Sequence, residues 1–78
     1  MTRYHFHLVD GDVKLDFRIV DLNGERAILD FAEQLANSLL SGADSPYARD
    51  PDAWEIRVTD DNGAEVFSLP LSEVAAKR

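Results

Sequence analysis

The chain predicts an α+β domain of order ββαββ, in which an antiparallel four-stranded sheet of strand order 2-1-3-4 carries one helix packed on one face. Three observations carry that expectation. Two segments of period-two alternation flank Asp10-Gly11 near the start, a helical stripe fills the middle, and two more alternating segments flank Asp61-Asn62-Gly63 near the end. At 78 residues the chain is expected to form a single domain, 1–78. A domain of that length buries only roughly 60–65% of the surface its unfolded chain exposes, so its core has little to spare.

In the first strand Tyr4, Phe6 and Leu8 alternate with Arg3, His5 and His7. In the second, Val13, Leu15, Phe17 and Ile19 interleave with Asp12, Lys14, Asp16 and Arg18. A two-residue turn at Asp10-Gly11 sets Leu8 beside Val13, Phe6 beside Leu15 and Tyr4 beside Phe17 on the core side. The outer side then pairs His7 with Lys14, His5 with Asp16, and Arg3 with Arg18. A slip of one residue would scramble both faces, so the pattern selects its own register.

A helix follows, with Asp21 as the expected N-cap and an end near Ser41. Ile28, Phe31, Ala32, Leu35 and Leu39 form the stripe that covers the sheet. Leu29, Ala36 and Leu40 lie roughly 100° round from the centre of that stripe. They read either as a second, outward strip available to a partner or as the margin of a wider core. The stretch GADSPYARDPDA reads as a loop, pinned to the body by Tyr47. In the last hairpin Trp54, Ile56 and Val58 alternate with Glu55, Arg57 and Thr59; an Asn62-Gly63 two-residue turn would align Val58 with Phe67, Ile56 with Leu69 and Trp54 with Leu71, whereas a type I turn with a glycine bulge would pair Val58 with Val66. Pro70 cannot donate to a ladder and belongs near the end of an edge strand. Residues 72–78 read as a frayed tail unless Ser72 and Glu73 start a helical turn. A right-handed return from the second strand over the first places the third strand beside the first, which gives the order 2-1-3-4.

Fifteen acidic against eight basic residues give a net charge of −7. That balance argues against nucleic acid and anionic membranes as partners. The chain has no cysteine, which excludes disulfides and thiolate zinc sites and suits a reducing cytoplasm. No apolar run approaches the roughly 18 residues of a membrane span, and the opening lacks a signal peptide's apolar stretch. No nucleophile elbow is present, and nothing places a base beside Ser38, Ser41, Ser45, Ser68 or Ser72. The glycines stand singly at 11, 24, 42 and 63, so no glycine-rich loop cradles a phosphate. The expectation is a cytoplasmic, non-enzymatic protein with no cofactor and no small-molecule substrate.

Two histidines at i and i+2 project from one face of a strand, a spacing that zinc sites use, and Asp16 across from His5 supplies a third donor. His5, His7 and Asp16 are thus the metal candidates. A tetrahedral site needs more ligands, Lys14 would stand beside His7, and a solvent-facing strand accounts for all of them. The outer face would also gather Arg3, Lys14, Arg18 and Arg57, but the strand aromatics fall on the core side, unlike the base-stacking sheets of RNA-binding domains.

The blocks RYHFHLVDG, VDL before the helix, and WEIRVTDDNGAEVFSLPLSE at the end together resemble a family of short alphaproteobacterial proteins classed as a domain of unknown function, whose opening reads like RY-x-FHL-x-DG. The resemblance rests on Arg3, Tyr4, Phe6, His7, Leu8, Asp10, Gly11, Asp21, Leu22, Trp54, Ile56, Val58, Asp60, Gly63, Leu69 and Pro70. It spans nearly the whole chain and implies no activity. His7 belongs to it, whereas His5 stands where the family often has an aromatic residue. Residues 12–20 also form a cleaner strand than the polar connection the resemblance implies.

What remains is interaction. A four-stranded sheet with one helix leaves two edges and one open face. The expected function is a protein-interaction module that associates with itself as a homodimer or with a protein partner, with Leu29, Ala36 and Leu40 as interface candidates. The alternatives are an acidic regulator, similar in its hairpin-then-helix layout to HicB-like antitoxins, that neutralises a basic partner, or a histidine-dependent metal-binding protein.

Overall fold

A computed structural model describes residues 2–42 and 44–77, the side chain of Phe17 excepted. The fold is α+β. Strands β1 (Thr2–Asp10) and β2 (Val13–Leu22) form the first hairpin, β3 (Glu55–Asp60) and β4 (Glu65–Pro70) the second, and the antiparallel sheet has the order β2-β1-β3-β4. Helix α1 (Glu25–Leu40) joins the hairpins together with a short helix α2 (Pro46–Arg49) and a 3-10 turn at Pro51–Ala53. A third helix, α3 (Leu71–Ala76), follows β4 directly. The chain is therefore richer in helix than a bare ββαββ pattern.

The first hairpin turns one residue later than expected. Gly11 adopts φ 54° and starts a Gly11-Asp12 turn closed by Asp10 opposite Val13, because a positive φ at the first central position is what glycine supplies to a tight hairpin. Leu8 consequently faces Leu15, and His7 faces Asp16. A β-bulge then places the extra residue Phe17 between Asp16 and Arg18, so that Phe6 faces Arg18, His5 faces Ile19 and Tyr4 faces Val20. The expected pairs of His7 with Lys14, His5 with Asp16 and Arg3 with Arg18 are corrected accordingly. The expected position of the Phe17 side chain beside Tyr4 lies outside the described residues.

The bulge also changes which residues form the core. Val20 and Leu22 pack against the buried cluster, while Ile19 turns to the outer face at 65% exposure. Val13 and Leu15 sit at the hairpin end of the edge strand, 49% and 44% exposed. Phe6, Leu8, Ile28, Leu35, Ile56 and Val58 do share one core, but Leu15 is not part of it. Phe31 meets Phe6 with ring centroids 4.9 Å apart.

Helix α1 starts after Gly24, whose φ 93° and ψ 162° lie in a region almost reserved for glycine. Asp21 remains in β2, with its carboxylate 3.9 Å from Arg3 Nε, and is not the N-cap. Ala36 and Leu40 lie inside the core and Leu29 is half-buried. Helix α3 supplies the reason: it packs on α1 with Leu71 and Val74 buried in the same cluster. Residues 71–76 are thus a helix and not a frayed tail, while Arg78 lies outside the described residues. Ala36 and Leu40 of the second strip thus belong to the core, while Leu29 stays at its margin.

The second hairpin reaches the expected register by another route. Gly63, at φ 84°, closes a β-turn by donating its N–H to the Asp60 carbonyl, and the Asp60 carboxylate accepts from the backbone of Asn62 and Ala64. A bulge at Val66 then restores Val58 opposite Phe67 and Ile56 opposite Leu69. In the connection, Ser45 caps α2 and Tyr47 stands edge-on to Trp54 at 5.0 Å.

Candidate functional site: two histidine–carboxylate pairs on the outer sheet face

Period two carries His5 and His7 to the outer face of β1, between β2 and β3. His7 is nonetheless 7% exposed. Its Nδ1 lies 2.8 Å from Asp16 Oδ1 on β2, and its Nε2 lies 2.9 Å from Thr59 Oγ1 on β3. A carboxylate only accepts, so Nδ1–H donates to Asp16; Nε2 is then the acceptor of the threonine O–H in the neutral ring. Three neighbouring strands thereby satisfy both ring nitrogens, which is what burial of an imidazole requires.

His5 is partnered separately. Its Nε2 lies 3.0 Å from Asp61 Oδ1 in the β3–β4 turn, and its ring runs nearly parallel to that of His7, 8° apart in plane with centroids separated by 6.4 Å. The two imidazoles thus point to different carboxylates. Of the metal candidates, Asp16 joins His7 and not His5, and among the described residues no three histidine or carboxylate groups converge as metal ligands.

The basic outer face of the sequence reading is also corrected. Arg18 falls on the helix side, where it borders Phe31 and Leu35. Arg57 sits between two carboxylates: its Nη2 pairs with Glu55, and its Nε lies 2.9 Å from Glu65 Oε1. The second contact is ionic and not an aligned hydrogen bond, since the buried Nε has no acceptor in line. Among the described residues Lys14 has no carboxylate within 4.0 Å. A shallow depression of ≈ 290 Å³ bordered by Lys14, His5, His7, Asp16, Thr59 and Asp61 marks this face.

The chain Asp16–His7–Thr59 has the connectivity of a carboxylate–imidazole–hydroxyl relay. Thr59 is 8% exposed, so its hydroxyl serves the imidazole. Asp16 is the reverse, its side chain 88% exposed. The arrangement therefore fixes an outward carboxylate on the edge strand from a buried anchor. Thr59 and Asp61 were absent from the candidates drawn from sequence. Thr59 is a polar residue at an outer position of the third strand, and the strand order brings it beside His5; Asp61 belongs to the turn and had no signal.

No helix among the described residues is long and apolar enough to cross a membrane. No curated protein and no solved structure matches the chain. Residues 3–72 match the domain of unknown function DUF6894, and the chain belongs to that family.

Proposed function

We propose that this domain is a non-enzymatic protein-interaction module that self-associates through the edge of its sheet. One observation carries the reading. Of four exposed large apolar residues among the described ones, Val13, Leu15 and Ile19 all lie on β2, an edge strand of ten residues. Edge strands present unpaired backbone groups, and apolar side chains along one favour pairing over protection. The opposite edge is blunted: β4 has six residues, a bulge at Val66 and Pro70 at its end.

Burial of Ala36 and Leu40 leaves only Leu29 of the helix strip available to a partner, and the sheet edge is the larger contact surface. The partner is a second copy, and the setting is the cytoplasm of an alphaproteobacterium; the opening RYHFHLVDG and the lack of cysteine support that setting. Light scattering after size exclusion tests the reading. Wild type should gain mass with concentration, whereas Leu15→Lys, at a 44% exposed position, should stay monomeric with an unchanged circular dichroism spectrum. Equal association of the two proteins would reject β2 as the contact.

A further inference from the structure

Two β2 edges can meet in only a few registers, and the charges on the strand separate them. Resting on the self-association reading above, we propose that a second copy pairs antiparallel along Lys14–Asp16 about a two-fold axis at Leu15. Lys14 of each copy then faces Asp16 of the other.

An antiparallel pair about a two-fold axis perpendicular to the sheet sets one residue opposite its own copy. Centring on Lys14, Asp16 or Arg18 sets like charges opposite each other, which disfavours pairing. Centring on Val13 runs off the strand into the Gly11-Asp12 turn, centring on Phe17 would set Asp16 opposite Arg18 but the bulge puts those two residues on opposite faces of the sheet, and centring on Ile19 or Val20 brings no opposite charges together. At Leu15 the same operation makes two Lys14–Asp16 pairs on the outer face, while Leu15 meets Leu15 on the helix side. This is the part of β2 before the bulge at Phe17, where its pairing with β1 is regular from Val13 to Asp16.

Two independent features of the site fit that arrangement. Lys14 has no carboxylate partner among the described residues. Asp16 is held through Oδ1 by buried His7 at 2.8 Å while its side chain stays 88% exposed, so the carboxylate is oriented and can also accept from an incoming ammonium. The His7–Thr59 anchor is then a positioning device for an interface charge. Its burial beneath an open sheet face follows from that role.

Charge exchange tests the register. At a concentration where wild type is dimeric, Lys14→Glu alone and Asp16→Lys alone should each be monomeric in sedimentation velocity, because each opposes like charges. An equimolar mixture should form a heterodimer, because it restores two opposite-charge pairs. The cysteine-free chain gives a second readout that leaves the charges intact: Leu15→Cys should oxidise to a disulfide-linked dimer on the order of 10-fold faster than Ile19→Cys, since only position 15 meets its own copy. If wild type dimerises but the single charge variants also dimerise, or Ile19→Cys links faster, this register is wrong and self-association stands. If wild type is monomeric throughout, both fall.

Discussion

His7 is buried on a sheet face that no helix covers, and two hydrogen bonds make that burial tolerable. Thr59→Val keeps the shape and removes the hydroxyl, leaving Nε2 without its partner. It should cost about 1–3 kcal/mol, read as a lower urea midpoint at unchanged slope. His7→Leu strands the threonine hydroxyl instead, and the double variant should cost less than the sum of the two, with a coupling of about 0.5–3 kcal/mol. Additive effects would show that the imidazole and the hydroxyl do not act together. The sequence made it plain that His5 and His7 share a face, because alternation alone determines that. Which carboxylate each one meets depends on register, and a two-residue shift moved Asp16 from His5 to His7.

At the scale of elements, the strands and α1 were readable because their apolar periods are long and unbroken. The bulge at Phe17 was not, because Phe17 and Ile19 extend the same alternation and nothing local announces an extra residue. The role of α3 escaped for another reason: SEVAAKR is too short to show a helical period. Its burial nevertheless makes firm predictions. Leu40→Glu should unfold the domain and not merely dissociate it, because Leu40 is 6% exposed within the core and a carboxylate there has no partner. Leu71→Ala, at a fully buried position, should cost about 2–5 kcal/mol by chemical denaturation. Gly24→Ala should destabilise by about 1–3 kcal/mol through backbone strain alone, since no atom stands within 4 Å of an added Cβ there.

For the whole molecule, the consequence is an uneven sheet. One face is closed by α1 and α3, one edge is short and ends in proline, and the other edge is long and carries three of the four exposed large apolar side chains among the described residues. A domain of this size has a margin of about 4–12 kcal/mol, and pairing through β2 would add to it by mass action. The denaturation midpoint should therefore rise with protein concentration. Sedimentation equilibrium of the wild-type protein over a wide concentration range decides whether two copies pair. The mass should climb from the monomer value of 8.7 kDa toward twice that value, fitted by a monomer–dimer equilibrium. A mass that stays at the monomer value at every concentration would contradict that pairing.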